Sequence, residues 1–381
     1  MGELRKADEI AFDTEADSFY SYQERVCLIQ VTVSESDYLV DPLCELDLSP
    51  LGTILADPAK IKVFHDGEYD VLILKKDFGF EFASLFDTRV AAAALGLEMP
   101  GLASVVNERF GIELDKSQQR SDWSKRPLTD SQIEYARQDT RYLLPLMDEL
   151  KAELADRSRT HIVEGECRRL EGLEPTPREF RPDDFIRLKG ARGLDRKEMR
   201  VLRELFVWRD GEAERRNVPP FKVMGNNTLL ALARHRPNST RSLGRVDGLS
   251  PKVVRRLGTP LLEVIAAAEE LGALPKVPSL PPKDGTARLD EFEVELYDRL
   301  KTWRKGHAER EGIDASLVLN RHVLPRIAKG RPRDLADLER VEGLLAWQLD
   351  SFGDELLDLV DEFERDVEAG RIEPSPRRRR R

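Results

Sequence analysis

The chain has 381 residues, 40% hydrophobic and 35% charged, with a formal net charge of −10. That length exceeds one ordinary core and points to two or three domains of a soluble, heavily charged protein. No run reaches the length of a membrane span, and the first residues are too charged for a signal peptide, so the cytoplasm is the expected compartment.

The first strand expected is 10–15, which starts apolar and then presents Asp13 and Glu15. At i and i+2 on a strand, both carboxylates face the same side. Such a pair repels itself and is costly to bury, and a hard divalent cation, Mg²⁺ or Mn²⁺, resolves the conflict. A turn over 17–24 leads to a second strand, Val26–Val33, and a third lies at 38–40. A short buried strand at 61–65 runs into a helix over 69–77. Further helices are expected at 87–95, Leu102–Phe110 and, as one long amphipathic element, 131–157. Strands first and then alternating elements indicate an α/β domain with a mixed sheet.

Pro175 and Pro177 with Pro182, and later a Pro-rich stretch at 274–285, break this pattern. The segments between and after the breaks are helical and repeat one another. Trp208-Arg209-x-Gly211-x-Ala213-Glu214-Arg215 matches Trp303-Arg304-x-Gly306-x-Ala308-Glu309-Arg310 at an offset of 95 residues. The same offset pairs Arg236-Pro237 with Arg331-Pro332 and Gly248-Leu249 with Gly343-Leu344. The shared apolar positions read as core. The domains expected are therefore 1–172, 183–273 and 286–368, with a disordered basic tail at 369–381.

Charge is unevenly spread. Residues 1–180 hold 21 Lys+Arg against 36 Asp+Glu, a net of −15, whereas 181–275 hold 19 against 12, a net of +7. An acidic part beside a basic one suits a metal-dependent nuclease with a nucleic-acid-binding module, although solvated helix faces give the same balance. The cysteines Cys27, Cys44 and Cys167 are scattered and lack metal-ligand spacing, as reduced thiols would. The histidines form no His-x-x-x-His pair, which argues against a zinc enzyme.

Two further acids complement the first pair. Asp70 lies where the 61–65 strand passes into a helix, at a strand C-terminus of the kind where α/β folds place their sites. Tyr135 and Asp139 are i and i+4 on a helix, so they share a face, and the small Ala136 leaves room beside them. Asp87 precedes a helix and reads as its N-cap. The 120–126 stretch, with Arg120, Trp123, Lys125 and Arg126, is basic–aromatic–basic. It reads equally as a phosphate-contacting, base-stacking loop or as a structural loop anchored by Trp123. Gly101-Leu102 opens a helix whose N–H groups could face a terminal nucleotide.

In order and spacing, Asp13-x-Glu15, Asp70 and Tyr135-x-x-x-Asp139 resemble the three exonuclease motifs of the DEDD superfamily, tyrosine-bearing branch. Phe86-Asp87-Thr88, Gly101-Leu102, Leu114-Asp115-Lys116 and the Arg120 to Leu128 stretch are similar to the ribonuclease D family, and the repeat resembles the HRDC domain. The resemblance implies a ribonuclease H-like α/β exonuclease domain followed by two all-α HRDC domains. It selects Asp70 over Asp66 and Glu68 as the second-motif acid. It further implies that Asp13, Glu15, Asp70 and Asp139 hold two divalent cations about 4 Å apart, with Tyr135 orienting the attacking water. The activity implied is 3′–5′ release of nucleoside 5′-monophosphates from RNA, chiefly tRNA precursors. The basic first repeat, with Arg255 and Arg256, would grip the body of that RNA. HRDC domains also serve DNA helicases, so a DNA substrate stays open at this point. A non-catalytic binding protein is the other alternative, but it has no use for four converging carboxylates. Only Met1 to Glu9 precede the first motif strand, fewer residues than the family usually carries there. The expected consequence falls on stability rather than catalysis. Nothing in the sequence requires an oligomer.

Overall fold

In a computed structural model of the protein, residues 1–177, 179–279 and 289–372 are described. The chain divides into two compact units. One takes in 1–15, 26–175 and the described part of 282–381, and the other 16–25 and the described part of 176–281.

The first unit is built on a five-stranded sheet of β1 (Glu9–Ala16), β2 (Val26–Val33), β3 (Ser36–Val40), β4 (Ile61–Phe64) and β5 (Leu85–Asp87), in the order β3-β2-β1-β4-β5. It is mixed, because β2 and β3 pair antiparallel while β1–β4 and β4–β5 pair parallel, with Ala11 opposite Val63 and Val63 opposite Phe86. Ile10, Ala11 and Phe12 bury the middle of the central strand β1, and every residue of β2 is buried. The helices are α1 (Gly2–Lys6), α2 (Ser49–Ala56), α3 (Glu68–Phe78), α4 (Thr88–Ala94), α5 (Leu102–Phe110), α6 (Asp130–Arg141), α7 (Leu143–Asp156) and α8 (Thr160–Glu171).

The expected strands and mixed sheet are present, with differences. The single helix expected over 131–157 is two, meeting at Tyr142. Pro145 explains the break: it has no N–H for a continuing helix but is tolerated in the first turn of a new one. The sequence reading also passed over β5, α1, α2 and α8.

The helical repeat is observed element by element. The second unit contributes α9 (Arg196–Arg215), α10 (Pro220–Val223), α11 (Asn226–His235), α12 (Thr240–Leu243) and α13 (Pro251–Glu270). Their counterparts in the first unit are α14 (Glu291–Glu311), α15 (Ala315–Val318), α16 (Leu324–Gly330), α17 (Leu335–Glu339) and α18 (Ala346–Glu368). Asp195 and Asp290 cap α9 and α14 with matching capping boxes. Arg236 and Arg331 both adopt the left-handed conformation that ends α11 and α16. The repeated arginines are internal ties: Arg209 donates to the Met224 carbonyl and Arg304 to that of Leu319, each at 3.0 Å. In the first unit, Leu143, Leu146 and Leu150 of α7 share one apolar core with Leu296, Leu300, Trp347 and Phe352 of the second repeat. Most of the expected basic tail, from Glu373 on, and residues 280–288 of the Pro-rich break lie outside the described residues. Among the described residues, no helix is long and apolar enough to cross a membrane.

Candidate active site

Three elements bring the acids together. The central strand β1 projects Asp13 and Glu15 from one face, as the period of two requires. Asp139 comes from α6, and one carboxylate oxygen each of Asp13, Glu15 and Asp139 lie within 4.8 Å of one another. Asp70 stands outside this tight triad. It is buried in the first turn of α3, and its carboxylate accepts a hydrogen bond from the Thr14 hydroxyl, 2.5 Å away.

The turn into α3 is sharply defined. A Cβ at Gly67 would meet Phe64 Cβ at 2.6 Å, so only glycine lets the chain turn there. Asp87 pins the same turn. Its carboxylate accepts from the backbone N–H of Asp66 and Gly67, at 3.1 and 2.8 Å, as well as from Arg89 and Val90 at the start of α4. Asp87 is thus the N-cap read from sequence, and it also locks the loop that delivers Asp70. The competing acids point elsewhere: Asp66 faces Arg89 at 3.6 Å and Glu68 faces Arg169 at 3.1 Å.

Helix α6 is set by a capping box between Thr129 and Gln132 and by contacts to the sheet. Asp37 of β3 receives Arg137 Nε at 3.2 Å and Arg141 Nη2 at 2.8 Å, and Thr140 Oγ1 lies 2.7 Å from Thr32 Oγ1 of β2. These ties flank Asp139 and fix its helix face. Sequence reading missed Asp37 and Thr14, since neither has a local signal. Tyr135 is buried one turn before Asp139, its ring 5.9 Å from that of Trp123.

The electrostatics follow from enclosure of like charges. Burial pushes the Asp13 carboxyl well above the carboxylate range, and Asp70, Asp139 and Glu15 push it further. Glu15 is raised to about 9 by burial and then by Asp139 and Asp70. Asp139 rises to about 7 by burial and the Asp70 charge. Asp70 rises to about 6 by burial, against the opposing pull of the Thr14 hydrogen bond. Among the described residues no lysine or arginine pairs with these four acids. A cluster of hard oxygen donors lacking a compensating positive charge fits a hard divalent cation. Burial and the neighbouring carboxylates also raise the Tyr135 hydroxyl above its usual value, so it keeps its proton at neutral pH.

The basic–aromatic loop needs correction in part. Trp123 is 1% exposed, packed with Cys27, Leu28, Tyr135 and Ala136, so it cannot stack on a base. The Arg126 guanidinium is consumed by the fold. It donates to Asp41 and to the backbone carbonyls of Cys27, Trp123 and Lys125, at distances from 2.5 to 2.8 Å. Trp123 thus packs against Tyr135, whereas Arg126, although exposed, spends its guanidinium on Asp41 and on backbone carbonyls. Arg120 and Lys125 are exposed, the latter 3.4 Å from Asp122. Gly101 caps α5 in extended backbone and is exposed, with Leu102 half-buried beside it. In the second unit, Arg255 and Arg256 are exposed on α13.

Comparison with known proteins identifies the family. A family model described as a 3′–5′ exonuclease matches residues 1–155, and one described as the HRDC domain matches 198–265 and 293–360, two stretches separated by the repeat offset of 95. The ribonuclease D of Gluconacetobacter diazotrophicus is 33% identical over 94% of this chain and 89% of that protein. That of Pseudomonas paraeruginosa is 31% identical over 94% of each. Among solved structures, Escherichia coli RNase D, described as an exoribonuclease involved in structured RNA processing, is 30% identical over 94% of both chains, with a TM-score of 0.64. The catalytic core of RRP6 from Trypanosoma brucei is 32% identical over 71% of this chain and 76% of that one, also at 0.64. An exonuclease fold, an acidic cluster made for a divalent cation and two HRDC repeats thus coincide in one chain, which belongs to the ribonuclease D family of 3′–5′ exoribonucleases.

Proposed function

We propose that this exoribonuclease trims the 3′ ends of structured RNA, tRNA precursors foremost, in the cytoplasm, releasing nucleoside 5′-monophosphates one at a time. The observation that supports this reading best is the convergence of Asp13, Glu15 and Asp139 within 4.8 Å. Asp13, Glu15, Asp70 and Asp139 would hold two divalent cations, Mg²⁺ or Mn²⁺. When bound, such ions supply a water of lowered pKa and charge stabilisation for the leaving 3′ oxygen. The work of the side chains is then positional. Tyr135, protonated and buried, orients a water by hydrogen bonding and does not act as a general base. Thr14 holds the Asp70 carboxylate, and Asp37 holds α6 through two arginines. Gly101 and Leu102 at the start of α5 border the terminal nucleotide, and Arg120 and Lys125 meet backbone phosphates. In this reading the exonuclease domain is 1–172, and the HRDC repeats are 183–273 and 286–368. The first repeat, through Arg255 and Arg256, holds the body of the RNA.

The test is digestion of a 3′-labelled tRNA precursor and a matched single-stranded DNA with Mg²⁺, Mn²⁺ or EDTA, repeated with Asp13→Ala. Metal-dependent mononucleotide release from RNA alone, abolished in the variant, is expected. Comparable digestion of DNA would overturn the RNA restriction, and binding without release would overturn the catalytic reading.

A further inference from the structure

The second unit includes residues 16–25, the segment that follows the catalytic strand directly. It is firmly built. The Tyr22 hydroxyl donates to Asp210 at 2.6 Å and its N–H to Asn217 at 3.3 Å, and Asp17 accepts from the Arg25 N–H at 2.8 Å. This scaffold presents two large apolar rings to solvent. Phe19 is 45% and Phe221 54% exposed, with ring centroids 6.4 Å apart and planes at 70°. Beside them, Lys222 Nζ lies 3.7 Å over the Tyr20 ring.

The helical repeat does not require these groups. Val223 and Met224 of α10 are buried, as are Val318 and Leu319 at the same places in the second repeat. Phe221 and Lys222, by contrast, correspond to Ser316 and the buried Leu317. The exposed aromatic and the lysine are therefore particular to the basic copy. Exposed aromatics held rigidly beside a cation form a stacking platform, and bases of any sequence offer a face to it. Position in the chain adds a constraint. Phe19 follows Glu15 by four residues, so its backbone lies no farther than about 14 Å from that of the metal-site glutamate.

We infer that Phe19 and Phe221, with Lys222 and Tyr20, form a binding site for unpaired bases of the RNA 3′ segment. The aromatic pair takes one base by stacking, and the ammonium meets the adjoining phosphate. This inference rests on the exonuclease reading, and the test separates the two.

The full-length chain, in EDTA, is titrated with a fluorescent RNA hairpin bearing an unpaired 3′ tail and with the same hairpin lacking it. Phe19→Ala/Phe221→Ala should weaken binding of the tailed RNA roughly 5- to 100-fold and leave the blunt hairpin unchanged. Phe221→Tyr should restore most of the loss. One abasic position in the tail should weaken wild-type binding and leave the double variant indifferent. At saturating RNA with Mg²⁺, the double variant's single-turnover rate should stay within about twofold, whereas Asp13→Ala should bind normally and release nothing. Unchanged affinity for the tailed RNA would overturn the inference and leave the patch to a protein partner. Equal losses on tailed and blunt RNA would overturn it too, showing only that the loop supports the fold.

Discussion

The hydroxyl of Thr14, which lies between Asp13 and Glu15 on β1, donates to the carboxylate of Asp70 on α3. One buried hydrogen bond thus joins the first acidic motif to the second and lowers the proton affinity of Asp70 against its burial. Thr14→Val keeps the shape and removes the donor. A hydrogen bond to a charged group contributes about 1.5–3 kcal/mol, so the rate at saturating RNA should fall roughly 10- to 100-fold while RNA affinity in EDTA holds. Single-turnover measurement on 3′-labelled RNA checks this. An unchanged rate would mean that the bond is incidental.

The same carboxyls give the metal-free protein an inverted pH response. Asp70, Asp139 and Glu15 are raised to about 6, 7 and 9, above their unfolded values near 4. A group with a raised folded pKa lends stability that is complete below the unfolded value and is lost as pH climbs through the folded one. Chelator-treated protein should therefore melt at progressively lower temperature from pH 5 to pH 9. Saturating Mg²⁺ should flatten that trend, and metal affinity should rise with pH because ligation displaces protons. A melting temperature rising over this range without metal would contradict the electrostatics.

Asp37, 5% exposed at its side chain, holds α6 through Arg137 and Arg141. Asp37→Asn leaves the volume unchanged but weakens both bonds. The expected cost is about 1–3 kcal/mol in denaturant unfolding, with slower turnover and unchanged binding through the second unit.

How far the site could be read from sequence follows from the range of each signal. Asp13 with Glu15 and Tyr135 with Asp139 declare themselves by strand and helix spacing, which a few consecutive residues suffice to show. Thr14 to Asp70 and Asp37 to Arg137 and Arg141 span 56 to 104 residues, and no local pattern announces them. Trp123 reads as a stacking residue because basic–aromatic composition is the same in a binding loop and an anchoring one. For Trp123, only burial decides between them. The β5 strand, Leu85–Asp87, is too short to show a period. The α6–α7 break, by contrast, has a local signal in Pro145, which the amphipathic pattern around it masks.

Packing between α8 and the second repeat gives a stability prediction. A Cβ at Gly165 would stand 1.9 Å from Trp347 Cδ1, well inside any tolerable contact. Gly165→Ala should destabilise the first unit by about 1–3 kcal/mol or more. Trp347→Ala should also destabilise, and the double variant should lose less than the sum, since removing the indole relieves the clash. Denaturant titration of the three variants shows whether the effects add.

Charge reversal at Arg255 and Arg256 tests the basic repeat. Arg255→Glu/Arg256→Glu should weaken RNA binding and lower the slope of log affinity against log salt by about 1 for each phosphate that is no longer neutralised. Unchanged affinity and slope would remove α13 from the RNA surface.

The central claim is that the acidic cluster cuts RNA from its 3′ end with a divalent cation. A 5′-labelled RNA with a structured body and an unpaired 3′ tail tests it most directly, digested by wild type and by Asp139→Asn in Mg²⁺ and in EDTA. The account predicts a ladder shortening one nucleotide at a time with wild type in Mg²⁺ only, and intact RNA in the other three lanes. Internal fragments, or shortening that persists in EDTA or in Asp139→Asn, would contradict it.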